Sequence, residues 1–100
     1  MDETKTKPLR MTASSLDGRD FSNMDLENAD FSFSSLKDIN FDGANLRNAK
    51  LRFAALDRTT FRNSDLRNAD LSFSSLSDVD LTGAKVEGAN FSFTSQEKSF

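Results

Sequence analysis

A chain of 100 residues can form one domain, and an apolar content of 36% that includes ten phenylalanines is enough for a narrow core. The formal charge of −3, from 13 basic and 16 acidic residues, disfavours direct contact with nucleic acid, because binding phosphates requires a basic surface. Histidine and cysteine are both absent, which removes the usual general base, the thiolate nucleophile, disulfide staples and the commonest soft metal ligands.

Residues 1–8, M-D-E-T-K-T-K-P, are charged and polar and are expected to form a disordered arm. They lack the apolar centre of a signal peptide, and no later run approaches membrane-spanning length. The expectation is a cytoplasmic protein with no membrane contact. Leu9 and Met11 are the first residues in phase with the pattern that follows, so the folded region is placed at 9–95.

From Leu16 to Phe91 every fifth residue is large and apolar, and ten of the eleven leucines fall in this one phase. A helix turning about 100° per residue would scatter such positions around its circumference. A strand would put successive ones on opposite faces. A backbone that bends once every five residues and winds around an axis keeps them all inside, which is the periodicity of a solenoid. Two residues before each large one, Ala and Ser dominate, as in Ala29, Ser34, Ala44 and Ala49. Alternation of large and small residues fits a narrow tube. Arg19 breaks this second pattern in the first coil.

Two residues after the large one, most units carry Asn, Gly, Asp or Arg, but every fourth carries Phe: Phe33, Phe53, Phe73 and Phe93. A twenty-residue repeat of four units implies four sides per coil, with residues n and n + 20 stacked roughly 4.8 Å apart. The charges agree. Asp17–Lys37–Asp57, Asp38–Arg58–Asp78, Asp30–Lys50–Asp70, Asp42–Arg62, Glu27–Arg47 and Arg67–Glu87 alternate in sign, and Arg47 above Arg67 is the one like pair. Like charges stacked vertically would repel, so alternation is expected of true neighbours. Asn28, Asn48 and Asn68 would form an amide ladder.

The units A-D-F-S-F at 29–33, A-N-L-R-N at 44–48, S-D-L-R-N at 64–68, A-D-L-S-F at 69–73 and A-N-F-S-F at 89–93 resemble the pentapeptide repeat family, A-(D/N)-L-x-x. The resemblance covers residues 14–95. It implies an all-β fold, a right-handed quadrilateral β-helix of about four coils of twenty residues. It also implies that some relatives protect type II topoisomerases by mimicking DNA.

Residues 96–100 break the phase, with Gln96 in the next large position, and are expected to be a tail. With no capping helix in view, the last coil is expected to offer an open edge, and edges invite pairing with another chain. End-to-end homodimerisation is the favoured association; the competing reading folds the tail over the end with Phe100 as a lid.

The search for chemistry is negative. Serines sit at fixed repeat positions with no base to activate them, and Gly18, Gly43, Gly83 and Gly88 are isolated turn residues that form no phosphate loop. Neither an enzyme, a cofactor nor a metal site is expected. The candidate site is the column Phe33, Phe53, Phe73 and Phe93: an outward apolar ridge on one reading, corner packing over Ser34, Ala54, Ser74 and Thr94 on the other. The sequence therefore points to a non-catalytic structural or protein-binding module with an unidentified protein partner. The alternative is a DNA mimic that binds DNA gyrase or topoisomerase IV. A mimic needs carboxylates spaced along a rod, whereas residues 14–33, 34–53, 54–73 and 74–93 carry −4, +2, 0 and −2.

Overall fold

The computed structural model describes residues 9–96. The expected arm at 1–8 and the tail residues 97–100, with the lid assigned to Phe100, lie outside the described residues.

One turn repeats throughout. In Leu26-Glu27-Asn28-Ala29 the Ala29 N–H donates to the Leu26 carbonyl at 3.0 Å, and Asn28 has φ of 65°. A hydrogen bond closing four residues with positive φ at the third is a type II turn. Thirteen non-glycine residues and the four glycines have positive φ, and all of them occupy this third position.

Between turns a single residue pairs with the next coil. The bridges run from Arg10–Asp30 to Ser75–Ser95; all are parallel and all join n to n + 20. Four turns therefore close one coil, as the sequence repeat requires. The pairing among the described residues consists of one-residue bridges and not of extended strands. Turns every five residues leave too little straight backbone between corners for a longer ladder.

Every backbone N–H of a unit can be followed to its acceptor, which explains the unit's composition. In Asn45–Ala49, Leu46 and Asn48 donate forward to Asp65 and Arg67 carbonyls at 2.8 and 3.0 Å, and Asn45 donates back to the Met24 carbonyl at 2.9 Å. Ala49 closes the turn on the Leu46 carbonyl at 3.0 Å. The remaining N–H, of Arg47, donates to the side-chain Oδ1 of Asn45 at 3.1 Å. Asp20, Asp30, Asp70, Asp80 and Asn90 accept from the residue two further on in the same way, at 2.9–3.0 Å. The recurrent Asp/Asn is thus the acceptor for the one donor that the coil and the turn leave over.

The large apolar set lines the tube. Leu36, Phe41, Leu46, Leu51, Leu56, Phe61, Leu66, Leu71 and Leu76 are fully buried, with Ala44, Ala49, Ala54 and Ala69 between them. Phe21, Phe41 and Phe61 stack one above another, with ring centroids 5.5 and 5.2 Å apart. Burial is looser at both ends: Arg19 and Met24 are exposed in the first coil, and Leu81 and Phe91 are only half-buried in the last.

Small size is not all that the inward Ser and Thr supply. The Ser34 hydroxyl accepts the Ser14 N–H at 3.1 Å and donates to the Met11 carbonyl at 2.6 Å. Thr59 does the same one side further on, accepting the Ile39 N–H at 3.0 Å and donating to the Leu36 carbonyl. Each hydroxyl is inserted into a turn of the preceding coil and relays its hydrogen bond.

Candidate docking surface

Phe33, Phe53, Phe73 and Phe93 all sit at the third turn position, with φ of 64°, 57°, 63° and 59°. Left-handed backbone is disfavoured for bulky side chains, and the other columns fill this place mostly with Asn, Gly or Asp. The rings do not fold down over Ser34, Ala54, Ser74 and Thr94. They remain 64%, 46%, 42% and 79% exposed. They stack on one another instead, with centroids 5.1, 4.7 and 5.0 Å apart and planes within 4°, 5° and 11° of parallel. The faces of Phe53 and Phe73 are covered by neighbouring rings, so the middle of the column offers ring edges to solvent.

The column has one nearly uncharged flank and one charged flank, the latter being the bridge residues before the turn, Arg10, Asp30, Lys50 and Asp70, which alternate in sign. The preceding residues are Thr12, Ser32, Arg52, Ser72 and Ser92, and the bridge residues after the turn are Ser15, Ser35, Ala55, Ser75 and Ser95. Arg52 is the one charged residue among them. Its guanidinium carbon lies 5.8 Å from the Phe53 ring centroid, and its Nε is 3.5 Å from Asp70 Oδ2.

Charge on the rest of the tube is paired in part. Two of the ion pairs are the vertical ones expected, Glu27–Arg47 at 3.4 Å and Asp38–Arg58 at 2.8 Å. Others run diagonally, from a turn arginine to the bridge carboxylate eighteen residues on: Arg62–Asp80 at 3.0 Å and Arg52–Asp70 at 3.5 Å. The reason is the backbone bond just described. It fixes Asp70 and Asp80 in place, and an arginine one coil below reaches them. Asp17 and Asp42 take the vertical direction differently, accepting the backbone N–H of Lys37 and Arg62 at 3.0 and 2.8 Å. The like pair Arg47 and Arg67 shares Asp65, whose oxygens bind Arg67 at 2.9 and 2.6 Å and leave Arg47 Nε at 4.0 Å. The Arg67 hydrogen bond, against the opposing effect of burial, holds the Asp65 carboxyl at a pKa of about 2.

Among the described residues no group of three or more acidic side chains is arranged to hold a metal ion. No helix among them is long and apolar enough to cross a membrane.

A family model for pentapeptide repeats matches eight copies, in segments running from residue 10 to residue 92. The chain belongs to the pentapeptide repeat family. No curated protein matches it. Solved pentapeptide repeat structures do. One from the Arabidopsis thaliana thylakoid lumen is 38% identical with a TM-score of 0.86, over 89% of this chain and 62% of that one. One from the cyanobacterium Cyanothece 51142 is 24% identical with a TM-score of 0.90, over 93% and 64%. One from Nostoc PCC 7120 is 26% identical with a TM-score of 0.72, over 93% and 88%. The chain therefore spans less than two thirds of the length of the first two pentapeptide repeat proteins.

Proposed function

We propose that the chain is a non-catalytic protein-docking module, a right-handed quadrilateral β-helix whose partner lies along the Phe33–Phe93 edge. The carrying observation is the exposed, mutually stacked column of phenylalanines, flanked on one side by uncharged Ser35, Ala55, Ser75 and Ser95 and on the other by charges of alternating sign. Exposed apolar patches of some hundreds of Å² tend to be partner surfaces, and aromatic side chains concentrate binding energy. Strain supports the same reading. The turn accepts Gly freely and Asn at less cost than Phe, so the backbone alone does not call for Phe there. The ion pairs favour docking over phosphate mimicry, since Arg47, Arg58, Arg62 and Arg67 engage carboxylates that a DNA mimic would leave free.

The double variant Phe53→Asn, Phe73→Asn tests the proposal, because Asn suits the same backbone conformation. A partner captured by the unaltered protein, then purified, should bind the variant at least about tenfold more weakly, with the circular dichroism spectrum unchanged. Equal affinity for both proteins would exclude this edge as the docking surface.

A further inference from the structure

The phenylalanine column stops one place short of the backbone that supports it. Ala13 occupies the same column as Phe33, one coil earlier, with φ of 54°. Its N–H donates to the Ser32 carbonyl at 2.9 Å, which is the bond Phe33 makes to Arg52 at 2.8 Å and Phe53 makes to Ser72 at 3.1 Å. The backbone geometry of the column therefore continues through Ala13, but the ring does not. One face of Phe33 is covered by Phe53 and the other looks out over a methyl group. The exposure values reflect this, with the two rings stacked on one side, Phe33 and Phe93, at 64% and 79% against 46% and 42% for the two covered on both sides. At this face begins a recess of about 530 Å³ that runs along the column from Ala13 and Phe33 and carries Asp30, Lys50, Arg52 and Asp70. Its charges are opposed in sign, so it places no strong demand on the charge of what enters.

We infer that the Ala13 end of this recess is a subsite for one aromatic side chain of a docking partner, seated over Ala13 and stacked on the open face of Phe33 as a fifth ring. The inference rests on the docking function proposed above and names the partner's anchor. Three stacking intervals of 4.7–5.1 Å fix where that ring belongs. Parallel offset stacking is favourable between aromatic rings, and an aliphatic side chain gains less from a flat π face. The middle of the column is unsuited to the same contact, because its faces are already taken. A partner lying along the edge would bury apolar groups against ring edges at Phe53 and Phe73 and insert its ring at an end of the column, and of the two ends the one at Ala13 opens into the recess.

The test uses the whole protein labelled with 13C at phenylalanine and at the alanine methyls, titrated with N-acetyl-tryptophanamide and separately with N-acetyl-leucinamide. The expected result is a saturable, millimolar response in which the indole shifts the Phe33 ring signals and the Ala13 methyl upfield, leaves Phe53 and Phe73 nearly unmoved, and exceeds the leucine response several-fold. Ala13→Phe places a ring of the protein's own in the recess and should abolish the Phe33 response; Ala13→Gly, which keeps the recess open, should retain it. Shifts that are equal for the two probes, absent at Phe33, or undiminished in Ala13→Phe would overturn the subsite. This outcome is separable from that of the docking function. Loss of partner affinity on changing Phe53 and Phe73, with no probe response at Phe33, would leave the edge as a docking surface and remove only its aromatic anchor.

Discussion

At each third turn position a side chain is judged first by the backbone it must accept. Gly43 and Gly83 meet that demand freely, and they serve a second purpose: a Cβ on either would come within 2.2–2.3 Å of Oδ1 of Asn23 or Asn63 in the preceding coil. The Asn–Gly alternation of that column is thus a packing arrangement as well as a conformational one. Phe53 lies at the opposite extreme. Holding a bulky residue in the left-handed region costs about 1–2 kcal/mol. Aromatic stacking returns roughly 0.5–1.5 kcal/mol per pair beyond area burial, Phe53 stacks on both Phe33 and Phe73, and partial burial of the ring adds about 1 kcal/mol. The strain offsets much of this gain, so Phe53→Asn should lower the unfolding free energy by no more than about 2 kcal/mol, measured by urea denaturation. A loss of about 3 kcal/mol or more, the range of a fully buried aromatic, would mean that the column holds the corner together and is no free surface.

At the scale of the turn and coil, the buried hydroxyls are the least replaceable polar groups. Thr59 is fully buried and stands between the Ile39 N–H and the Leu36 carbonyl. Thr59→Val keeps the shape and removes the relay, leaving a buried donor and acceptor without their partner. A destabilisation of about 1–3 kcal/mol is expected, together with faster hydrogen exchange at the Ile39 amide. Unchanged exchange at Ile39 would show that its turn recloses directly on Leu36. This relay also marks how far the sequence could be read. The coil of twenty, the buried Leu/Phe set and the location of the Phe column were all legible, because they are properties of spacing. The relay was not, since a Ser or Thr at an inward position looks the same whether it fills space or bridges two backbone groups. The role of Asp and Asn in accepting the leftover N–H was hidden for a similar reason: their charge alternates down the columns, and that drew the reading toward vertical ion pairs. Diagonal pairs such as Arg62–Asp80 follow only once those carboxylates are known to be anchored. Exposure of the four rings was also beyond reach, because either reading of the column has the same spacing.

For the molecule as a whole, the tube holds its apolar interior in common, while its polar exterior is assembled from many small carboxylate contacts with one shared property. Asp17, Asp20, Asp38 and Asp80 all have lowered pKa values, caused first by hydrogen bonds from Ser35, Ser22, Arg58 and Thr82 respectively. Asp65, held to about 2 by Arg67, is the strongest case. A carboxyl group whose folded pKa lies below its unfolded value, near ~3.9 for Asp, stabilises the fold fully above the unfolded value and loses that contribution as pH falls toward the folded one. Each of these groups acts with the same sign, so acid should weaken the tube progressively below about pH 4, with the Asp65 contribution disappearing last, toward pH 2. Asp65→Asn removes one titrating group while retaining an oxygen that can accept from Arg67. Its melting temperature should start lower at pH 7, and the gap to the unaltered protein should narrow between pH 4 and pH 2. A gap constant across that range would show that Asp65 gives no pH-dependent support, and that the Arg47–Asp65–Arg67 cluster serves only to separate two stacked cations.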